Sequence, residues 1–223
     1  MTTPQPQPDS RQIKGQQTKQ RLVEEAIRLF AIKGVDAVGT RELAGAAGTN
    51  IASISFHFGS KEGLYAAVIE SVAAELAAIH RQALDEAAKG SAAAGEDAKG
   101  RACRAMACLT KGLLTSHRSQ WMSLLLQREF IAPTPSFEKI YTQAVQPTLA
   151  SVARLLAKAT GRDTHSSDIK VLAYAFFIMA SAFSRNKITF LRFAGLSEYA
   201  EQDIDAISRV LADFVANGLP QPL

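Results

Sequence analysis

The chain has 223 residues, 47% of them hydrophobic and 21% charged, and a net charge of +4. That balance excludes a disordered or fibrous protein, and the length is enough to bury a real core. No apolar run reaches the roughly 18 residues of a membrane-spanning helix, and the start lacks the charged-then-apolar layout of a signal peptide. A cytoplasmic chain with no membrane partner is therefore expected. The charge is uneven: residues 1–61 hold 8 Lys and Arg against 5 Asp and Glu, whereas the remainder holds 17 against 16. A polyanion would be drawn to the first quarter.

Residues 1–13 open with MTTPQPQPDS, rich in Pro and Gln and without periodicity, and are expected to form a disordered arm. From Gln12 the pattern turns helical, with Leu22, Ala26, Leu29 and Phe30 at three- and four-residue steps, until Gly34 stops it. Thr40 is placed to cap a helix over 41–47, closed by Gly48, and Asn50 to cap a short helix over 51–57, closed by Gly59. Ser60 then caps a long helix towards residue 88, and KGSAAAGEDAKG at 89–100 reads as a loop. Further helices are expected at about 101–117, 120–130, 137–160, 167–187 and 201–217, the one over 137–160 kinked by Pro147. No useful strand alternation occurs. The fold class is all-α, with about nine helices.

Residues 40–58, TRELAGAAGTNIASISFHF, carry the most specific signal. Helix, a turn of Gly48, Thr49 and Asn50, then helix forces a steep crossing, the helix-turn-helix geometry. Leu43, Ala44 and Ala47 share an inward face. On the second helix, steps of about 100° put Ile51, Ile54 and Phe58 on the buried side. Ala52, Ser53 and Phe56 point the other way, with Ser55 and His57 at the margins. Such a slim outer face suits the DNA major groove, although an ordinary solvated helical hairpin has the same outline. Thr40 with Arg41, and Ser60 with Lys61, stand at helix N-termini where phosphates bind, and Arg41 has the planar fork that reads a guanine.

Residues 14–65 resemble the DNA-binding domain of the TetR/AcrR family. The resemblance rests on the first helix ending at Gly34, on TRELAGAAG, and above all on ISFHFGSKEGLY at 54–65, whose His-Phe, Ser-Lys and Leu-Tyr pairs keep the family spacing across a helix end, a turn and a helix start. Ser55 departs from it, since a Tyr that touches the DNA backbone is common there. The resemblance implies DNA contacts by Thr40, Arg41, Asn50, Ala52, Ser53, Ser55, Phe56, His57 and Lys61, with Lys14 and Gln16 reaching the backbone or minor groove.

It also implies three parts: the arm at 1–13, a helix-turn-helix domain at 14–60, and an effector-binding and dimerisation domain at 61–223. The segment LLLQREFIAPTPSFEKIYTQAVQP at 124–147 resembles the C-terminal domain of CerR/CecR-like regulators. A homodimer would bind a pseudo-palindromic double-stranded operator, as a repressor, with its reading helices roughly 34–36 Å apart. A small-molecule effector would release it by tilting the helix over 61–88. The expected effector pocket comprises Trp121, Arg128, Phe130, Tyr141 and Phe177. The expected dimer interface comprises Phe176, Phe183, Ile207, Leu211 and Phe214, although both C-terminal helices could instead be intrachain core.

Cys103 and Cys108, five residues apart, face differently and read as small buried hydrophobes rather than a redox pair. His80, His117 and His165 have no metal-site spacing. With no Gly-rich phosphate loop and no nucleophile–base pair, neither an enzyme nor a cofactor is expected. An architectural DNA protein is the alternative, though it would not need so much chain beyond residue 61.

Overall fold

A computed structural model describes residues 10–116 and 119–219. His117 and residues 1–9 of the expected arm lie outside them. Among the described residues there is no strand, and ten helices follow one another. They are α1 (Ser10–Lys33), α2 (Thr40–Ala46), α3 (Ala52–Phe58), α4 (Lys61–Ala94), α5 (Ala98–Thr115) and α6 (Ser119–Ile131). Then come α7, continuous through Phe137–Ile140, Tyr141–Val145 and Gln146–Thr160, α8 (Ser167–Arg185), α9 (Lys187–Ala194) and α10 (Glu201–Gly218). The chain divides into two compact units, up to Ser71 and from Val72 onward, and α4 runs from one into the other.

Four expectations change. Ser10–Ile13, assigned to the arm, are the first turn of α1. The tenth helix is α9: the helical pattern after 167 breaks at Asn186, which leaves helical geometry at φ −111° and ψ 32°, and restarts at once. The loop expected over 89–100 shrinks to a turn, because α4 continues to Ala94. Ser91 there is buried and donates to Glu96, whose carboxylate also accepts from Arg104. Gly95, at φ +64°, supplies the reversal. Finally, Pro147, expected to kink the helix over 137–160, lies within α7, which continues on both sides of it. The turn before it, Tyr141–Val145, widens to π geometry, which accommodates a residue that has no N–H to give.

In the first unit α1 packs against both α2 and α3. Leu22, Ala26, Leu29, Phe30, Leu43, Ala44, Ala47, Ile54, Leu64 and Val68 are all buried. Phe30 meets the ring of Tyr65 edge-on at 5.3 Å. One contact sets how closely α4 approaches α3: a Cβ on Gly63 would overlap the carbonyl oxygen of Phe58.

In the second unit α5 is the hub, packed by α10, α7 and α8. Met106, Leu109, Val152, Leu156, Ile169, Phe176, Ile207 and Leu211 share one core. Lys111 on α5 pairs with Asp205 on α10 at 2.8 Å. Cys103 and Cys108 are free and half-buried on α5, and burial raises both thiols above their usual range. Both α4 and α8 are long and apolar enough to cross a membrane by composition, where the sequence suggested no such segment. Much of that apolar surface, including Val68, Ile69, Ile169 and Phe176, is buried within the protein.

His80 on α4 is buried against α7. Its Nδ1 lies 2.9 Å from Thr148 Oγ1, and that hydroxyl donates to the Ala144 carbonyl in the π turn at 2.7 Å. The hydroxyl proton is therefore committed, which assigns the imidazole proton to Nδ1. Phe177 covers the ring edge-on at 5.7 Å. Burial disfavours the imidazolium and lowers the pKa to about 4, against a smaller opposing effect of the Ala144 backbone.

Two stability predictions follow from these packings. Gly63→Ala should lower stability by about 1–3 kcal/mol, because backbone rather than a flexible side chain must yield. Gly45→Ala, which meets nothing within 4 Å, should leave stability unchanged or raise it in the same thermal melts. For His80, the folded pKa lies below the unfolded one, so the unfolded chain binds the extra proton between pH 6.5 and about 4. Stability is then complete above pH 6.5 and falls on acidification through that window, by up to about 3 kcal/mol. Urea titrations followed by Trp121, the single tryptophan, should show a smaller loss between pH 7 and 4.5 in His80→Gln than in the native chain.

Candidate nucleic-acid interface

The turn between α2 and α3 is closed by its backbone. Thr49 N–H donates to the Ala44 carbonyl at 2.9 Å and Gly48 N–H to Gly45 at 3.2 Å, with Gly48 at φ +60°. Asn50 acts as the expected cap: its Oδ1 accepts from Ser53 N–H at 2.9 Å and lies 3.0 Å from Ser53 Oγ. Thr40 differs from its expected role, because α2 begins at Thr40 itself, Gly39 precedes it, and no side chain caps that end. Ser60 caps α4, accepting from Gly63 N–H at 3.1 Å.

α3 places its side chains largely as the helical spacing implies. Ile54 is buried, while Ala52, Ser55 and Phe56 are exposed, Phe56 at 83%. His57 is half-buried and meets the Phe56 ring edge-on at 4.9 Å. Two assignments need correction. Ile51, expected inside, is 44% exposed, because it precedes α3 and is not held against α1. Ser53, expected to face outward, is half-buried, and its hydroxyl bonds to Thr49 Oγ1 at 2.8 Å as well as to Asn50. Ser53 thus builds the start of the helix, and the bare outer surface is Ala52, Ser55 and Phe56.

The cations sort into two groups. Lys33 is held by Glu42 at 2.6 Å, Arg28 lies 3.4 Å from Glu25, and Lys61 donates to the Val38 carbonyl at 3.2 Å. Arg41 is exposed at the amino end of α2, beside the half-buried Thr40. On α1, Lys14 and Gln16 are exposed in helix rather than in an arm. Lys19 stands over the Phe58 ring at 5.8 Å, and Arg21 lies alongside Gly48 in the turn. Gly15 comes close to His57. Two cations of α1 therefore border α3 and its turn, Lys19 at the last residue of α3 and Arg21 at the turn before it. Both were missed in the sequence, where only the i, i+3, i+4 apolar face of α1 was legible and its contact with α3 was not. Both helix N-termini expected to clamp phosphate already hold an acid in the first turn, Glu42 on α2 and Glu62 on α4. The carboxyl of Glu62 is lowered first by its backbone hydrogen bond and then by Ser60.

The five expected effector residues do not meet in one cavity. Phe130, Phe137 and Tyr141 form an aromatic row, with centroids 6.0 and 6.3 Å apart, and the Arg185 guanidinium lies 5.8 Å over Phe130. Phe177 faces His80 in the core, Trp121 is half-buried, and Arg128 is exposed. A cleft of about 760 Å³ between α7 and α8 takes in Tyr141 but none of the other four. The neighbouring Glu129 is 1% exposed and accepts from Thr134 N–H at 3.1 Å and its hydroxyl at 2.9 Å, tying down the α6–α7 turn.

Among the expected dimer residues, Phe176, Ile207 and Leu211 are buried in the chain's own core against α5 and present no outer face. Phe183 stacks edge-on with Phe190 at 4.8 Å, in a cluster with Tyr199, whose hydroxyl donates to the Phe183 carbonyl. Only Phe214 is exposed, at 64%, with Val210 one turn earlier at 59%. On α8, Val171 and Tyr174 are likewise exposed. Among the described residues no group of three His, Cys, Asp or Glu could hold a metal ion.

Comparison with known proteins places this architecture. Residues 22–68 match the model of bacterial regulatory proteins of the tetR family, and residues 96–219 match the C-terminal domain of the HTH-type transcriptional dual regulator CecR. The CecR of Shigella flexneri is 31% identical over 215 residues, covering 94% of this chain and 96% of that protein. Among solved structures, the ketosteroid transcriptional regulator KstR2 of Mycobacterium tuberculosis superposes with a TM-score of 0.63 at 17% identity, over 96% of this chain and 97% of that one. A regulator from Saccharomonospora viridis in complex with choline superposes with a TM-score of 0.58 at 19% identity, over 92% and 98%. These relatives are regulators of transcription, not enzymes. The chain belongs to the tetR family of DNA-binding transcriptional regulators and carries the C-terminal domain of the CecR type.

Proposed function

We propose that this regulator is a cytoplasmic homodimeric repressor that grips a pseudo-palindromic operator through α3 of each subunit and lets go when a small molecule binds the second unit. The observation that carries the DNA reading is the outer surface of α3. Ala52, Ser55 and Phe56 are exposed on a slim helix, with Lys19 at its last residue, Arg21 at the turn before it and Arg41 at the neighbouring helix end. Small residues let the helix sink into the major groove, and Phe56 offers an apolar ring to a thymine methyl. Lys19 and Arg21 serve phosphates, positioning the helix without selecting sequence. Asn50 and Ser53 act chiefly by holding the helix start, and Lys61 by tying α4 to the carbonyl of Val38.

Dimerisation is supported by the apolar side chains left uncovered on the last helices. Phe214 on α10, expected from sequence, is joined by Val210 on the same helix and by Val171 and Tyr174 on α8. A two-fold copy would cover them with themselves. Release by a small molecule is supported by the choline held in the Saccharomonospora viridis structure of the same fold, and α4 is the covalent route from the second unit to the first.

Gel shifts on the DNA upstream of the protein's own gene test the first part. Phe56→Ala and Arg41→Ala should each weaken specific binding about tenfold, within the roughly 1–3 kcal/mol of one base contact. Lys19→Ala and Arg21→Ala should weaken binding to all sequences alike and lower the salt slope by about one each. Equal binding to random duplex, unaffected by Phe56→Ala, would point to an architectural DNA protein instead. Sedimentation tests the second part: Val210→Glu with Phe214→Glu should convert a dimer into a folded monomer, and an unchanged dimer would move the interface elsewhere.

A further inference from the structure

Between α4, α5 and α7 lies a cleft of about 420 Å³, wholly within the second unit. Its floor is small and apolar, with Leu84, Ala87, Ala88, Ala105 and Leu155 among the lining residues. Its rim holds Arg101, Arg154 and Lys158, and no carboxylate lines it. Outside the lining, the backbone carbonyl of Glu96 accepts from the Arg101 Nε at 3.2 Å. The Glu96 carboxylate itself is taken by Arg104 and Ser91, and Arg104 holds it below the usual range. Arg154 makes a hydrogen bond to Ser151 one turn back, at 3.0 Å, and no ion pair among the described residues. Three cations thus rim an apolar trough whose lining holds no carboxylate, and of the three Arg101 also acts on the charge of the nearby Glu96 carboxylate.

We infer that this α4–α5–α7 cleft binds an amphipathic organic anion, a flat apolar body bearing a carboxylate, sulfonate or phosphate. The volume falls within the roughly 300–1,000 Å³ of small-molecule sites. The alanine floor admits a ring or chain closely, and the guanidinium and ammonium groups give the anion charge-assisted bonds that a neutral analogue cannot make. The site was not among the residues expected from sequence, because Arg101, Arg154 and Lys158 come from two different helices and read singly as solvated surface. The inference rests on the reading of the second unit as an effector domain, and it names the chemistry of that effector. A ligand seated here touches α4 directly, through Leu84, Ala87, Ala88 and Ala92.

The test uses the full-length protein without DNA, and two fluorescent probes that differ only in charge: 8-anilinonaphthalene-1-sulfonate and its neutral counterpart N-phenyl-1-naphthylamine. The sulfonate should bind saturably and at least about tenfold more tightly than the neutral probe. Arg154→Gln with Lys158→Gln should lose at least about tenfold in sulfonate affinity, whereas Arg154→Lys with Lys158→Arg keeps it. All four are exposed-site substitutions, and a melting temperature within error of the native chain shows that the fold survives. Lys170→Gln, in the α7–α8 cleft that shares Arg154 but not Arg101 or Lys158 with this one, should change nothing. Sulfonate binding unaltered by the double Gln variant, equal binding of the neutral probe, or an equal loss in Lys170→Gln would each overturn the assignment. Rim-dependent sulfonate binding by a protein that fails to shift operator DNA would sustain the cleft and remove the repressor reading.

Discussion

A helix of seven residues does not hold together alone in water, so the surface that α3 presents depends on how it is clamped. Its start is held by the triangle of Thr49, Asn50 and Ser53 side chains. Its middle is anchored by Ile54 in the core, and its last residue, Phe58, is pinned from two directions. Lys19 lies over the ring, and α4 comes in so closely beneath the carbonyl that only a residue without a Cβ fits at 63. These restraints use up the groups facing inward and leave Ala52, Ser55 and Phe56 as the part that meets the outside. Presentation of a small, rigid surface is thereby achieved without a long helix.

The same economy explains the charges. Several cations in the first unit are spent internally: Lys33 on Glu42, Arg28 on Glu25, Lys61 on a carbonyl. Arg41 stands exposed at the start of α2, and on α1 Lys19 and Arg21 border the end of α3 and the turn before it. A net charge of +3 over residues 1–61 says little about partners. The arrangement of its cations says more, because phosphate attraction at close range depends on which cations can approach.

In the second unit the organising element is α5, whose contacts with α7, α8 and α10 bury the residues that a sequence pattern offers equally to a core or to an interface. Once Phe176, Ile207 and Leu211 are spent on α5, the large apolar side chains still exposed on α8 and α10 are Val171, Tyr174, Val210 and Phe214, of which only Phe214 was expected. The polar side follows the same logic. His80 is kept neutral by burial and bonds through Thr148 to the carbonyl of Ala144, in the widened turn that carries the chain past Pro147. A helix that must tolerate a proline has thereby gained a defined polar contact with α4.

The sequence by itself determined the helical class, the helix-turn-helix segment and the inward residues Leu43, Ala44, Ala47 and Ile54. These follow from local spacing, capping and turn chemistry, which act over a few residues and are written in order along the chain. Tertiary structure decided the rest. Ser53 turned inward because Thr49 and Asn50 offered it partners, Lys19 and Arg21 became neighbours of α3 because α1 packs there, and α4 ran on to Ala94 because Ser91 and Arg104 converge on Glu96. The expected effector residues scattered, and Phe176, Ile207 and Leu211 sank into the core, for one reason. Periodicity shows that a helix has an apolar face, but only the packing of α5 against its neighbours shows what that face is pressed against, and which cations are left around an apolar trough.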